Sequence, residues 1–471
     1  MCEQTTAGIE SAAEEVRGAD LGDRRLSRRL VGIVQAVEKD PSKSFTATMV
    51  ADADTEAFYR FLRNPRVSFE QVLEPHFAAT RARAAETGQV VVIHDSTEVK
   101  HSSATPEGGF YRLKSETYGY LGHFSLCAAE EDGVNLRPLG LVHAEAVERN
   151  KTPVKGGSLA QWKNPKKESR RWGRGARTVK KSLGPEVAVI HVMDREGDSY
   201  EIISELVETG QDFLIRLKSD RRVSGAEDLR VIEAVERGEV ILEREVRLSA
   251  RGEDRPPQTK KKHPPRSFRT TRLAIKAQSV EILHPNWLPK IFPRQIPINV
   301  VRVTEIDPPQ DEEPVEWTLL TTVPIEAPAD VERVIDLYRG RWLIEDYFKA
   351  LKTGCTLRKR LPETLKTALV MMAVLAPIAW QLLLLRYLER KAPTAPATRL
   401  FKKERLRVLR RFVPKEAALP PRASVRHVLT AIAKMGGHRK SNGPPGWQVL
   451  GRGFQRLLEL EAGWRAAKEG D

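Results

Sequence analysis

Apolar positions recur every three or four residues over about the first 80 positions, with Leu26, Leu30, Ile33 and Val37 on one stripe and Phe58, Phe61 and Leu62 on another. That spacing predicts two amphipathic helices, and Asn64-Pro65 ends the second. From about residue 88 the period changes to that of strands, at 90–94, 117–128, 134–147, 186–193 and 212–218, with a hairpin turn at Asp132-Gly133. Further strand runs lie at 239–249, 271–283 and 296–305. Pro328 and Asp330 then open a helix, and beyond 362 the pattern is helical apart from a Gly436-Gly437 turn and a Gly443–Gly446 loop.

Helices, then a mainly β region, then helices again predict a mixed α/β chain of several domains. The length, 471 residues, is enough for two or three. One stretch, Ala368 to Leu385, approaches the roughly 18–20 apolar residues that cross a bilayer. Pro377 and Gln381 interrupt it, and an all-round apolar helix is also what the core of a large protein contains. The expectation is a buried helix and no membrane.

Charge narrows the partners. There are 78 Lys plus Arg against 63 Asp plus Glu, a net charge of +15 that attracts polyanions such as nucleic acid. Arg24, Arg25, Arg28, Arg29, Arg60, Arg63 and Arg66 cluster on the N-terminal helices among aromatic residues, a composition shared by DNA-reading domains and by solvated helix faces. Lys151–Lys181 holds 11 Lys or Arg and one acid, with Trp162 and Trp172 between them, and Arg255–Arg266 is both basic and Pro-rich, as an exposed loop would be. Cys2, Cys127 and Cys355 are scattered, so no disulfide framework or paired-cysteine zinc site is available. With no secretion signal at Met1, the expected compartment is the reducing cytoplasm.

Candidate chemistry sits on the helix after Pro328. Tyr338, Arg341, Glu345 and Lys352 fall within an arc of about 60° if the helix is regular, which places a carboxylate among phosphate-binding groups. Two more carboxylates end apolar strand-like runs upstream: Asp95 after Val90-Val-Val-Ile-His94, and Asp194 after Val187-Ala-Val-Ile-His-Val-Met193. Three converging acids would suit two divalent metals, which together serve the attacking and leaving oxygens of a phosphodiester. Mg²⁺ takes oxygen ligands, so no histidine is required of the site. His94 alternates to the face opposite Asp95 and reads as structural, while Glu196 and Asp198 read either as groups supporting Asp194 or as a helix start.

The order Asp, Asp, Glu, with Tyr338-x2-Arg341-x3-Glu345-x6-Lys352 around the last acid, resembles the cut-and-paste DDE transposases of the insertion-sequence-four family. Other family-like blocks follow in order: Gly22-Asp-Arg-Arg-Leu26, Tyr59-Arg-Phe-Leu-Arg-Asn-Pro65, Lys167-Glu-Ser169, Asp194-Arg-Glu196 and Gly443-Pro-Pro-Gly-Trp447. The resemblance implies a helical DNA-binding domain (1–80), a ribonuclease-H-like catalytic core (81–220 and 326–375), an inserted β-domain (221–325) and a helical C-terminal region (376–471).

It implies Asp95, Asp194 and Glu345 as catalytic acids holding two Mg²⁺ ions, with Mn²⁺ as substitute, and Asp95 bridging them. Tyr338, Arg341 and Lys352, with Arg216 and Lys218, would hold DNA phosphate, and Trp317 would stack on a base flipped from the duplex. The partners implied are double-stranded transposon ends, target DNA and a second copy of the chain in the DNA complex. Apolar Val425, Val428, Leu429, Ile432, Met435, Leu450, Phe454, Leu457, Leu458 and Leu460 are expected either at that dimer contact or in the subunit's own core. A nuclease of the same fold that never joins ends, or a non-catalytic DNA-binding relic, would share much of this pattern.

Overall fold

The N-terminal stripes fold as amphipathic helices in the computed structural model. Helix α1 (Arg24–Lys39) buries Leu30, Ile33 and Val37, and α2 (Asp52–Arg63) buries Phe58, Phe61 and Leu62. Asn64 leaves the helical region at α2's end, as a residue before proline is biased to do. Arg24, Arg25, Arg28, Arg29, Arg60, Arg63 and Arg66 all face outward. The described residues run from 11 to 469, except 40, 42–43, 50, 115, 132–134, 149–156, 165–166, 226, 249, 251–263 and 440–444. The Asp132-Gly133 turn, the start of the basic segment at Lys151, most of the Pro-rich basic loop and Gly443 therefore lie outside the described residues.

Helix α3 (Phe69–Thr87), capped by a reciprocal Ser68–Gln71 pair, leads into strand β1 (Gln89–Lys100). A meander follows through β2 (Tyr111–Lys114), β3 (Thr117–Glu131) and β4 (Asn135–Val147). Helix α4 (Arg170–Leu183) crosses to β5 (Ala188–Met193), and α5 (Tyr200–Glu208) to β6 (Asp212–Arg216). Strands β7 (Leu242–Leu248), β8 (Arg269–Leu283), β9 (Gln295–Glu305) and β10 (Glu316–Thr321) complete the sheet. Among the described residues, ten strands form one sheet in the order β2-β3-β1-β5-β6-β10-β9-β8-β7, with β4 beside β3.

The meander, then parallel β1, β5 and β6, is the ribonuclease-H-like order expected. The strands of 221–325 continue this same sheet, because β10 pairs antiparallel with β6 on one side and with β9 on the other. The β-rich insertion thus extends one edge of the catalytic sheet.

Helix α6 (Pro328–Gly340) starts with Pro328 at its first turn and with the Asp330 carboxylate accepting the Ala327 N–H at 2.9 Å. It passes into α7 (Trp342–Lys349), and then the apolar α8 (Leu365–Lys391) runs through the interior. Helix α8 is long and apolar enough to cross a membrane, but 94% of its most apolar window is buried inside the protein. Trp380 in its middle donates to the Pro138 carbonyl at 3.2 Å, which ties it to β4.

Helices α9 (Val425–Met435) and α10 (Trp447–Glu469) close the fold. Their contact is glycine-mediated: a Cβ at Gly453 would lie 1.8 Å from the Ile432 carbonyl oxygen, and one at Gly436 would lie 2.0 Å from that of Val449. Val425, Val428, Leu429, Ile432, Met435, Leu450, Phe454 and Leu457 are buried within this one chain, and Leu458 and Leu460 pack partly against the same core. For the eight buried positions the choice left open by the sequence falls to the subunit's own core, while Leu458 and Leu460 keep part of their surface exposed.

Candidate active site

Asp95 does not end β1 but stands in its middle. The apolar run stops at His94, yet β1 continues to Lys100 because its antiparallel pairing with β3 holds from Val91 to Lys100. The parallel pairing with β5 stops earlier, at Ile93 opposite Val192. Asp95 and Asp194 therefore flank the point where β1 and β5 part, the kind of strand-end crevice where α/β sheets place their sites. Asp194 follows β5 directly and caps a short 3₁₀ turn, its Oδ1 accepting the Glu196 N–H at 2.8 Å. Gly197 is required there, since a Cβ would come within 2.7 Å of Met193 Cβ.

Glu345 arrives on α7, whose Ile344, Tyr347 and Phe348 are buried against the sheet. The helix is not regular across the whole signature. At Arg341 the bonds tighten to three-residue spacing, Arg341 N–H to Tyr338 O at 3.0 Å and Ile344 N–H to Arg341 O at 3.2 Å. Residues Ala350–Gly354 then form a π-turn. The single regular helix expected from the spacing is corrected to two α-segments and a π-turn, yet the four side chains still gather on one side. The π-turn delivers the Lys352 ammonium to the Thr97 hydroxyl, two residues beyond Asp95 on the same face of β1.

The acids gather around a cation of the chain itself. One Arg341 nitrogen lies 3.0 Å from Asp95 Oδ2 and the other 3.0 Å from Glu345 Oε1. Burial pushes the Asp95 carboxyl up to about 7, with Arg341 opposing and the neighbouring Asp194 and Glu345 charges adding to the rise. Asp194 is raised as well, first by burial. Burial works against the Arg341 charge, but Asp95, Tyr338, Glu345 and Asp194 together hold it above its usual value. Among the described residues no three His, Cys, Asp or Glu side chains are close enough to hold one metal ion. Arg341 stands between Asp95 and Glu345, so the expected convergence of acids on each other is a convergence on an arginine.

The donor chemistry nonetheless fits a hard divalent cation. Asp95 and Glu345 share one guanidinium and Asp194 lies near enough to act on the Asp95 carboxyl, an all-oxygen donor set of the type that Mg²⁺ takes.

The phosphate-binding candidates divide. Burial lowers the Lys352 ammonium to about 8. Tyr338 is 5% exposed, and its ring meets that of Trp317 edge-on at 5.7 Å. Arg216 lies beside Tyr338 and donates to the Glu316 carbonyl at 3.0 Å. Lys218 is exposed, and it is its backbone N–H that Asp198 holds, at 2.7 Å. Asp198 also pairs with Arg221 at 2.5 Å, so it pins the loop after β6 and does not serve the acids. Trp317 is partly buried on β10, between a core position and a surface one.

His94 points away from Asp95, as alternation predicts, into a buried network. His94 and His191 share a hydrogen bond of 2.8 Å, Ser125 bridges His94 and His143, and Gln211 meets His191 at 3.0 Å. Burial lowers all of these imidazoles, His143 and His191 to about 4, so they are neutral structural groups at pH 7. The sequence reading missed Thr97, although the two-residue period of β1 marks it, and it missed Arg171, hidden in a basic run.

Residues 10–67 match the family described as Transposase DNA-binding, and residues 174–379 match that described as Transposase DDE domain. The second match contains Asp194 and Glu345 and begins beyond Asp95. Among solved structures, one described as the piggyBac transposase synaptic complex with hairpin DNA is similar at 10% identity, covering 81% of this chain and 74% of that chain, with a TM-score of 0.34. A helical domain of the first family, joined to a ribonuclease-H-like domain of the second, makes this chain a DNA-binding DDE transposase.

Proposed function

We propose that the protein is a cut-and-paste transposase that binds the terminal inverted repeats of its own element, nicks each end, and uses the freed 3′-hydroxyl to attack the opposite strand. The hairpin so formed is reopened and the end joined to target DNA. The observation that carries this reading is the gathering of Asp95 and Glu345 on Arg341, with Asp194 close enough to raise the Asp95 carboxyl.

Asp95, Asp194 and Glu345 would hold two Mg²⁺ ions, for which Mn²⁺ substitutes, and these ions supply charge stabilisation at the attacking and leaving oxygens. Arg341 neutralises the acids while no other cation is present and is free to turn to a phosphate when one is. Lys352, fixed by Thr97, and Arg216, beside Tyr338, place further positive charge at the scissile phosphate, while exposed Lys218 reaches DNA farther along. Trp317, stacked edge-on with Tyr338, offers a ring to a flipped base.

The exposed arginines of α1 and α2 suit duplex binding. Two ends cut and joined together call for two protomers about a two-fold axis, through a contact other than the buried faces of α9 and α10. Buried free thiols at Cys127 and Cys355 suit a cytoplasmic protein.

The test is an in vitro reaction with a duplex bearing the flanks of the gene and a supercoiled target. Hairpin-ended excision followed by joined product supports the reading. Cuts without hairpin or joining leave a nuclease, and binding without cuts leaves a non-catalytic DNA-binding protein.

A further inference from the structure

Backbone pairing does not set the distance between Asp95 and Asp194, because β1 and β5 part at Ile93 and Val192. Something else must hold the two segments in register if their carboxylates are to share ions. Arg171, in the first turn of α4 and 5% exposed, reaches both from the face of the sheet opposite Asp95.

Its Nε donates to Ser96 Oγ at 2.8 Å, one terminal nitrogen donates to the Glu168 carbonyl at 2.8 Å, and the other pairs with the Glu196 carboxylate. Ser96 and Glu196 are the residues whose backbone N–H groups fix the aspartates: Ser96 N–H donates to Asp95 Oδ1 at 2.7 Å, and Glu196 N–H to Asp194 Oδ1 at 2.8 Å.

We propose that Arg171 is a positioning residue that locks the Asp95 and Asp194 segments at the separation a shared pair of divalent cations requires. This rests on the reading of those aspartates as the metal-binding acids. A planar guanidinium can span two segments with fixed angles, whereas a lysine ammonium could satisfy one end only. Burying that charge is costly unless its donors are used, and here all three nitrogens have acceptors. The seat is tight: a Cβ at Gly175, one helical turn along α4, would lie 3.1 Å from His123 Nε2 and 3.2 Å from His94 Nδ1, so this glycine lets α4 approach the sheet and sets the depth of Arg171. Ser96 Oγ is held on its other side by His123 Nδ1 at 2.9 Å.

The experiment measures Mn²⁺ binding by the full-length protein, by electron paramagnetic resonance of free ion, for wild type, Arg171→Lys, Glu196→Gln, the double variant and Asp95→Ala. Thermal melting in EDTA runs alongside. Partners of metal ligands typically change affinity by about 10–100-fold. Arg171→Lys and Glu196→Gln should each weaken Mn²⁺ by about that factor, the double variant no further, and the metal-free melting temperature should hold in Glu196→Gln. The Glu196 side chain is 60% exposed, so its replacement keeps the fold even if that of Arg171 does not.

Wild-type Mn²⁺ affinity in both single variants, with loss in Asp95→Ala, would overturn the role of Arg171 and leave the metal site standing. Loss in Glu196→Gln alone would make Glu196 a ligand, and would also overturn it. Unchanged binding in Asp95→Ala would remove the metal reading itself, and this proposal with it.

Discussion

Arg341 reaches Asp95 Oδ2 at 3.0 Å across 246 residues of sequence, so the helix bearing Glu345 is anchored to the central strand by an ion pair inside the site. The pair is mostly withdrawn from solvent, with the Arg341 and Asp95 side chains 13% and 15% exposed. Removing one partner of such a pair leaves a charge without compensation, a loss of up to roughly 3 kcal/mol. Arg341→Ala should therefore lower the melting temperature in EDTA at pH 8, and Mn²⁺ should restore much of it by taking over the neutralisation. A variant as stable as wild type in EDTA would show that the pair contributes nothing.

Asp95 makes stability depend on pH in a stated direction. Its folded carboxyl, raised to about 7 by burial, binds a proton that the unfolded chain has lost above about 4. Its contribution is complete below the unfolded value and is lost as pH rises through 7. In EDTA, the stability of Asp95→Asn relative to wild type should rise from pH 5 to pH 8, by roughly 2–4 kcal/mol at the upper limit, whatever the loss of the Arg341 pair costs at both. A gap that stays constant across that range would contradict the burial of an ionisable Asp95.

Much of this site is legible in the sequence, for physical reasons. Val90 to Ile93 and Ile190 to Met193 are the buried lengths of the parallel pair β1 and β5, so they read as nearly continuous apolar runs and mark the acids that follow. The continuation of β1 past Asp95 is not legible, because Ser96, Thr97 and Glu98 serve the site and its far face and so break the apolar pattern. Nor is the π-turn at Ala350–Gly354, since the residue types there suit an α-helix equally well. The joining of the insertion to the core sheet depends on β10, six residues whose partner on the core side, β6, lies far earlier in the sequence. In α9 and α10 an apolar stripe announces burial but not against whom. The close glycine approach at Gly436 and Gly453 settles that, and only coordinates reveal it.

Lys352 should give DNA binding an upper pH limit. Burial lowers its ammonium to about 8, so a phosphate contact made by Lys352 at pH 7 would be lost above 8. Affinity for a duplex, read by fluorescence anisotropy, should fall more steeply between pH 7.5 and 9 in wild type than in Lys352→Arg, whose guanidinium stays charged. Parallel curves would remove Lys352 from the phosphate contact.

Trp317 separates packing from base stacking. Trp317→Phe keeps most of the contact with Tyr338, while Trp317→Ala removes it, and stacking on a flipped base is worth about 1–3 kcal/mol. Both variants should nick the first strand, with hairpin formation slowed more in Trp317→Ala than in Trp317→Phe. Insolubility of Trp317→Ala together with wild-type hairpin formation by Trp317→Phe would assign the residue to the core.

The most direct test of the account is cleavage of a duplex bearing the flanks of the gene, in Mg²⁺ and in Mn²⁺, by wild type and by Asp95→Ala, Asp194→Ala and Glu345→Ala, with gel shift of the same duplex alongside. Each replacement should abolish cleavage in both metals while leaving binding largely intact, since the exposed arginines of α1 and α2, within the match to the DNA-binding family, are unchanged. Cleavage near the wild-type rate by any one variant would take that acid out of the site, and cleavage by all three would contradict the account.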